Sequence, residues 1–242
     1  MQELAGAGGL FGAGRLAQLR GDHPRQGRPT PGRAYALLID VAGEDEGLAV
    51  GPDEGAAARL AGTRRDSTAL TVVEVTPGVG GALPSYRVVD RRLWTGTRHT
   101  ALHAALVDLA RVVWRARRVV IDATGVGAGL ASWLTAALPG LVLPWVFTAP
   151  SKSDLGWRLL AAIDGGRLKE YADDGAEDTR LLWRQLDACG YEVRPGPGKL
   201  LGWGVDDARV HDDLLLSLAL VGALDEVDWR PRIARGSGRD EG

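Results

Sequence analysis

Apolar and polar positions fall into two regimes along this chain, and the change of period between them marks the fold. Residues 33–41 (RAYALLIDV) form an apolar run that predicts a buried strand ending at Asp40. Residues 68–75 (TALTVVEV) predict a second strand, residues 77–84 a turn, and residues 85–93 (SYRVVDRRL) a third. Strands linked by local connections predict an antiparallel meander. From residue 100 the spacing becomes helical, with Leu102, Leu106, Leu109 and Val113 on one stripe of a helix over 100–114. A short strand at 119–121 then leads into Asp122, and a helix over 129–138 is stopped by Pro139. Residues 141–146 give another strand, so this βαβ unit is expected to be parallel and right-handed.

Residues 151–163 read as a helix with Ser151 and Asp154 at capping-box spacing. Residues 179–189 read as a helix ending at Gly190. Segments 191–194 and 199–203 flank Pro195, Gly196, Pro197 and Gly198, a hairpin turn by composition. Residues 210–224 (VHDDLLLSLALVGAL) are apolar enough for a buried helix. The flanks lack such patterning: residues 1–32 read as a flexible arm with one short helical possibility at 10–19, and 229–242 as a disordered polar tail. Residues 43–65 read as a loop inserted into a domain spanning 33–228. This order of elements predicts an α/β fold of the ribonuclease H-like kind, a mixed sheet (antiparallel three-stranded meander plus parallel strands) with helices on both faces. A dinucleotide-binding fold would place its glycine turn after the first strand.

Composition narrows the classes. The 242 residues are 45% hydrophobic and 25% charged, as in soluble globular domains. No apolar run approaches the roughly 20 residues of a membrane helix, and the first residues lack a secretory pattern, so a cytoplasmic protein without a membrane partner is expected. The single cysteine, Cys189, excludes an internal disulfide and a multi-cysteine zinc site, and the four histidines form no helical zinc pair. A net charge of −2 confines any nucleic-acid binding to a local positive surface. Arg91, Arg92, Arg111, Arg115, Arg117 and Arg118 concentrate positive charge, as a solvated helix face also would.

Residues 118–130 (RVVIDATGVGAGL) carry the densest local signal. A glycine turn opening a helix can cradle a phosphate on backbone amides, whereas a carboxylate ending a buried strand stands where open α/β sheets hold their chemistry. Asp40, Asp122 and the pair Asp212 and Asp213 fall at the ends of three separate elements. Brought to one end of the sheet, they would make an all-oxygen set suited to Mg²⁺ or Mn²⁺. Two such ions roughly 4 Å apart can activate a water and stabilise the leaving oxygen in phosphodiester hydrolysis. Singly, each acid also has a structural reading, as a turn former or as a complement to a helix dipole.

With these residues in view, the chain resembles the C-terminal nuclease domain of the tailed-bacteriophage terminase large subunit. The similarity runs through Ile39-Asp40-Val41-Ala42-Gly43, Arg65-Asp66-Ser67-Thr68-Ala69-Leu70 and Val120-Ile121-Asp122-Ala123-Thr124-Gly125-Val126-Gly127. It continues in Pro150-Ser151-Lys152-Ser153-Asp154-Leu155-Gly156 and His211-Asp212-Asp213-Leu214-Leu215-Leu216-Ser217-Leu218-Ala219, and covers about residues 35–224. The resemblance implies a ribonuclease H-like, resolvase-like fold and a metal-dependent endonuclease that cuts double-stranded viral DNA during packaging, using two Mg²⁺ or Mn²⁺ ions. It implies Asp40, Asp122 and Asp213 as catalytic acids and metal ligands, Asp40 bridging both ions and the other two holding one each. Asp213 is preferred over Asp212 because related resolvases place their acid just inside this helix. A further family acid fits Asp66 better than Asp45. His211 would orient a phosphate or water, or simply serve the helix start; Lys152 would contact the scissile strand, or flank the Ser151 cap. Lys152, Arg158, Arg194 and Lys199 are the expected DNA contacts.

The 43–65 segment exceeds the family's usual spacing and reads as a tolerated surface loop more than as a gate. No G-x-x-x-x-G-K-[ST] motif occurs, so an ATPase motor is expected on another chain or domain. The terminase small subunit and the portal are further implied partners, in a host cytoplasm. Two other readings share the fold: a Holliday-junction-type resolvase, and a catalytically inactive DNA-binding or packaging module.

Overall fold

In the computed structural model, residues 9–42, 67–194, 198–206 and 211–229 are described. Seven consecutive buried side chains make β1 (Ala34–Asp40) the middle of the main sheet, as expected of a strand covered on both faces. β2 (Ser67–Thr76) and β3 (Ser85–Thr95) follow as an antiparallel meander. β4 (Arg118–Asp122) returns parallel to β1, and β5 (Val142–Trp145) lies parallel beyond it. β6 (Leu168–Lys169) adds two residues beside β3, so the order is β5-β4-β1-β2-β3-β6. This is the ribonuclease H-like mixed sheet expected from the element order. β6 was not foreseen, being too short to carry a pattern.

Helices cover both faces. On one, α2 (His99–Asp108, continuing as a π-helical turn over Leu109–Val113) and α3 (Gly127–Ala137) pack Leu102, Leu106, Trp114, Leu130 and Leu134 against Leu37, Ile39, Val119 and Ile121. On the other, α1 (Ala13–Leu19), α4 (Ala149–Asp164), α5 (Glu177–Ala188) and α6 (Asp213–Ala219, running on as a 3-10 turn over Leu220–Glu226) meet Ala36, Leu38 and Val120. β7 (Cys189–Val193) and β8 (Leu201–Val205) form the expected hairpin as a separate two-stranded sheet.

Two expectations need correction. The α4 cap is Thr148, not Ser151: the Thr148 hydroxyl accepts from the Ser151 amide while Ser151 Oγ accepts from the Thr148 amide, and Pro150 lies in the first turn. Within the segment expected as a flexible arm, residues 9–32 pack as a strap. Leu10, Phe11 and Leu19 enter the core. The His23 ring donates to the Val88 carbonyl and the Gln26 amide to the Val89 carbonyl, at a bulge in β3. Arg25 reaches Asp90, Asp174 and Asp178, and beneath it Arg91 and Glu170 form a fully buried ion pair. Arg20 bridges to Glu170 along the outer side of β6. The inserted loop with Asp45 and Asp66, and the tail from residue 230, lie outside the described residues.

Candidate metal centre

The pairing of β1 with β4 places Ile39 opposite Ile121, so Asp40 and Asp122 stand level on neighbouring parallel strands, about 5 Å apart by strand spacing. Side chains alternate between faces along a strand. Ile39 and Ile121 share one face, so both aspartates project from the other, the one covered by α6. The start of α6 reaches the same sheet end because Ser217, one turn on from Asp213, donates to the Leu38 carbonyl at 2.9 Å and pairs with the Thr71 hydroxyl. Asp213 in turn accepts from the Ser67 amide at the start of β2. Asp40, Asp122, Asp213, Asp212, His211 and Lys152 thereby line a single cleft of about 320 Å³.

The electrostatics follow from this crowding. Burial, with Asp213, Asp122 and Asp212 nearby, pushes the Asp40 carboxyl well above the usual carboxylate range, and Lys152 opposes the rise. Burial also raises Asp122, while hydrogen bonds from the Thr124 hydroxyl and amide pull it back. Lys152 lies 3.9 Å from Asp212 and over the Trp203 ring. The Trp203 indole donates to the Lys152 carbonyl, and the Leu201 amide donates to Ser153 Oγ. The hairpin is thereby fastened to the first turns of α4 and walls a second groove of about 690 Å³ that runs from Arg194 and Tyr191 to Lys152 and Asp212.

The glycines of the 118–130 stretch serve the turn. Gly125 has φ of 52°, and a Cβ on Gly127 would stand 2.6 Å from the Asp122 carbonyl, so the chain turns tightly beneath the acid.

The donor set fits a hard divalent cation. All the candidate ligands are carboxylate oxygens, and two of them stand on adjacent strand ends with like-charge repulsion that a cation would relieve. Among the described residues no group of three or more Asp, Glu, His or Cys side chains is set at metal-holding distances. Mg²⁺ commonly takes one or two carboxylates and completes its shell with water and substrate phosphate, so the adjacent pair suffices as a platform.

Not every expected contact reaches this place. Lys152 does. Arg194 lines the neighbouring groove, paired with Glu192 at 2.8 Å, and Lys199 is exposed near the hairpin tip. Arg158 lies further along α4, held by Asp154 at 2.7 Å and Glu226 at 2.6 Å, and does not line the cleft. Thr124, Ser67 and Ser217 lie within the motifs of the resemblance, without a role assigned to them there. The Asp122-x-Thr124 spacing, a turn signature, was the one signal available for them.

A sequence profile described as the Terminase RNaseH-like domain matches residues 56–189. That span contains Asp122 and Lys152, whereas Asp40 and His211–Asp213 lie outside it. No curated protein sequence matches this chain. Among solved structures, the large terminase nuclease from thermophilic phage G20c is 18% identical over 91% of this chain and 100% of its own, with a TM-score of 0.61. The same nuclease with bound magnesium is 18% identical over 90% of this chain and 97% of its own, at 0.63. The large terminase of bacteriophage HK97 is 9% identical over 89% of this chain and 43% of its own, at 0.54. These likenesses are likenesses of fold.

Proposed function

The chain belongs to the terminase RNaseH-like domain family, and from that membership we propose that it is a metal-dependent endonuclease cutting double-stranded viral DNA during genome packaging. The observation that carries the reading is the level placement of Asp40 and Asp122 on adjacent parallel strand ends, facing Asp213 and Lys152 across one cleft. The binding of magnesium by a fold relative supports the same reading.

Asp40, Asp122 and Asp213 would hold two Mg²⁺ or Mn²⁺ ions. When bound, the ions supply an activated water and charge stabilisation at the leaving oxygen. Asp40 and Asp122 present buried carboxylates from a rigid sheet, so little side-chain ordering remains to be done on binding. Asp213 is anchored by the Ser67 amide. Lys152, steadied by Asp212 and Trp203, offers its ammonium to a non-bridging phosphate oxygen. His211 faces the cleft and can donate to a phosphate. Lys199 and Arg194 meet the duplex backbone outside the cleft, giving contacts that position the DNA without reading its sequence. An ATPase motor, the terminase small subunit and the portal are the partners this role calls for.

Supercoiled plasmid incubated with Mn²⁺ or Mg²⁺ should be nicked and linearised, and EDTA or Asp122→Asn should leave it intact. Intact plasmid in the presence of either metal, with no metal-induced rise in melting temperature, would sink the reading.

A further inference from the structure

Asp122 sits at the end of β4, where an unsupported carboxylate would be free to change rotamer. We propose that Thr124 is a positioning residue for the proposed cleavage, holding one oxygen of Asp122 so that the other stays turned to the cleft. The inference rests on the functional reading above.

The ends of two strands meet at this one residue. The Thr124 amide donates to Asp122 Oδ1 at 2.8 Å. Thr124 Oγ1 accepts from the Phe147 amide, also at 2.8 Å, just beyond β5. That bond occupies a lone pair and leaves the single hydroxyl proton available to donate. One step earlier the Ala123 amide donates to the Trp145 carbonyl, so the turn is also held through its backbone. Thr124 itself lines the cleft beside the acids.

The consequence is preorganisation. Thr is β-branched and stiff at χ1, so its hydroxyl is aimed before any ligand arrives. Oδ1 is occupied by Thr124, and Oδ2 is the oxygen left to face a cation. Through Phe147 the Thr124 hydroxyl ties the turn that holds Asp122 to the chain leading into α4, which carries Lys152. The acid of one strand and the cation of the next helix are thus set relative to each other by a residue that need not touch substrate.

The test compares the full chain with Thr124→Val, Thr124→Ala and Thr124→Ser, reading Mn²⁺ binding by calorimetry and melting temperature with and without Mn²⁺. Val and Ala should weaken Mn²⁺ binding by about 10- to 100-fold, the range for removing a partner that orients a ligand. Ser keeps the hydroxyl and should restore affinity to within about threefold of the original, the residue being the extra χ1 freedom. Melting without metal shows that each variant is folded, and Ala provides the comparison if Val packs badly. Equal Mn²⁺ affinity in Val, Ala and the parent, or a loss in Ser as large as that in Val, overturns the inference while leaving the nuclease reading standing. A parent protein that binds Mn²⁺ no better than Asp122→Asn overturns both.

Discussion

The Ser217 hydroxyl donates to the Leu38 carbonyl across 2.9 Å, and this bond fixes how the last helix lies over the first strand. It stands one helical turn from Asp213 and two residues from Asp40, so it sets the spacing of two acids without touching either. Ser217→Ala leaves a buried carbonyl and the Thr71 hydroxyl short of a partner. Urea denaturation should show a loss of about 1–3 kcal/mol, and the Mn²⁺-induced rise in melting temperature should shrink. An unchanged metal response would mean that Asp213 is placed by the Ser67 amide alone.

Asp40 makes stability depend on pH when no metal is present. Its folded pKa, like that of Asp122, is raised chiefly by burial. A raised carboxyl favours the fold below its unfolded pKa, and that contribution is lost as pH climbs through the folded value. Melting in EDTA from about pH 5 to about pH 8 should therefore show falling stability, and Asp40→Asn should flatten the fall and melt higher at the upper end. Parallel pH profiles for the two proteins would contradict this assignment.

Gly127 and Gly129 open the same helix yet should respond oppositely to alanine. A Cβ at Gly127 meets the Asp122 carbonyl at 2.6 Å and Val41 Cβ at 3.3 Å, whereas one at Gly129 meets nothing within 4 Å. Gly127→Ala should cost about 1–3 kcal/mol through overpacking and reduce cleavage by shifting Asp122. Gly129→Ala should stabilise by up to about 1 kcal/mol. Two urea curves moving in the same direction would refute the close approach.

Beneath the strap, Glu170→Gln leaves the Arg91 guanidinium fully buried with no charge to oppose it. A loss of about 3–5 kcal/mol is expected, read as a lower denaturant midpoint. A change below about 1 kcal/mol would mean that Arg25 and its acids, not the buried pair, hold the strap to the sheet.

DNA binding should follow salt in proportion to the phosphates engaged. Lys199→Ala and Arg194→Ala should each lower the slope of log affinity against log salt by about 1. The exposed Arg194–Glu192 pair is weak enough to give way to a phosphate. Arg158→Ala should leave the slope unchanged, since Asp154 and Glu226 already hold that guanidinium. A fall in slope for Arg158→Ala would place it on the DNA path after all.

How much of this was legible in the chain depends on whether a signal is periodic or positional. β1 and β4 announced themselves as apolar runs closing on Asp40 and Asp122, and the change from period two to helical spacing pointed to a mixed sheet. The strap was not legible: Leu10, Phe11 and Leu19 have no regular spacing, and the His23 and Gln26 bonds to β3 fall on main-chain carbonyls that any sequence would offer. The α4 cap was misplaced by three residues because Ser151 matched a pattern, although Pro150 already argued for an earlier start. Thr124 was quoted only as part of a motif, because its partner Phe147 lies 23 positions away and is brought near by the pairing of β4 with β5. Segment lengths and face patterns are local properties, whereas bonds between turns exist only once the sheet has formed.

The margins of the sheet carry one more consequence. β5, on one side, holds Pro144, which has no amide proton to donate outward. β6, on the other, is two residues long and is flanked by the strap at Arg20 and Glu170. Among the described residues, neither β5 nor β6 offers a long strand edge on which a strand from another molecule could be templated. At these two strands the sheet closes itself, with a proline on one side and the strap on the other.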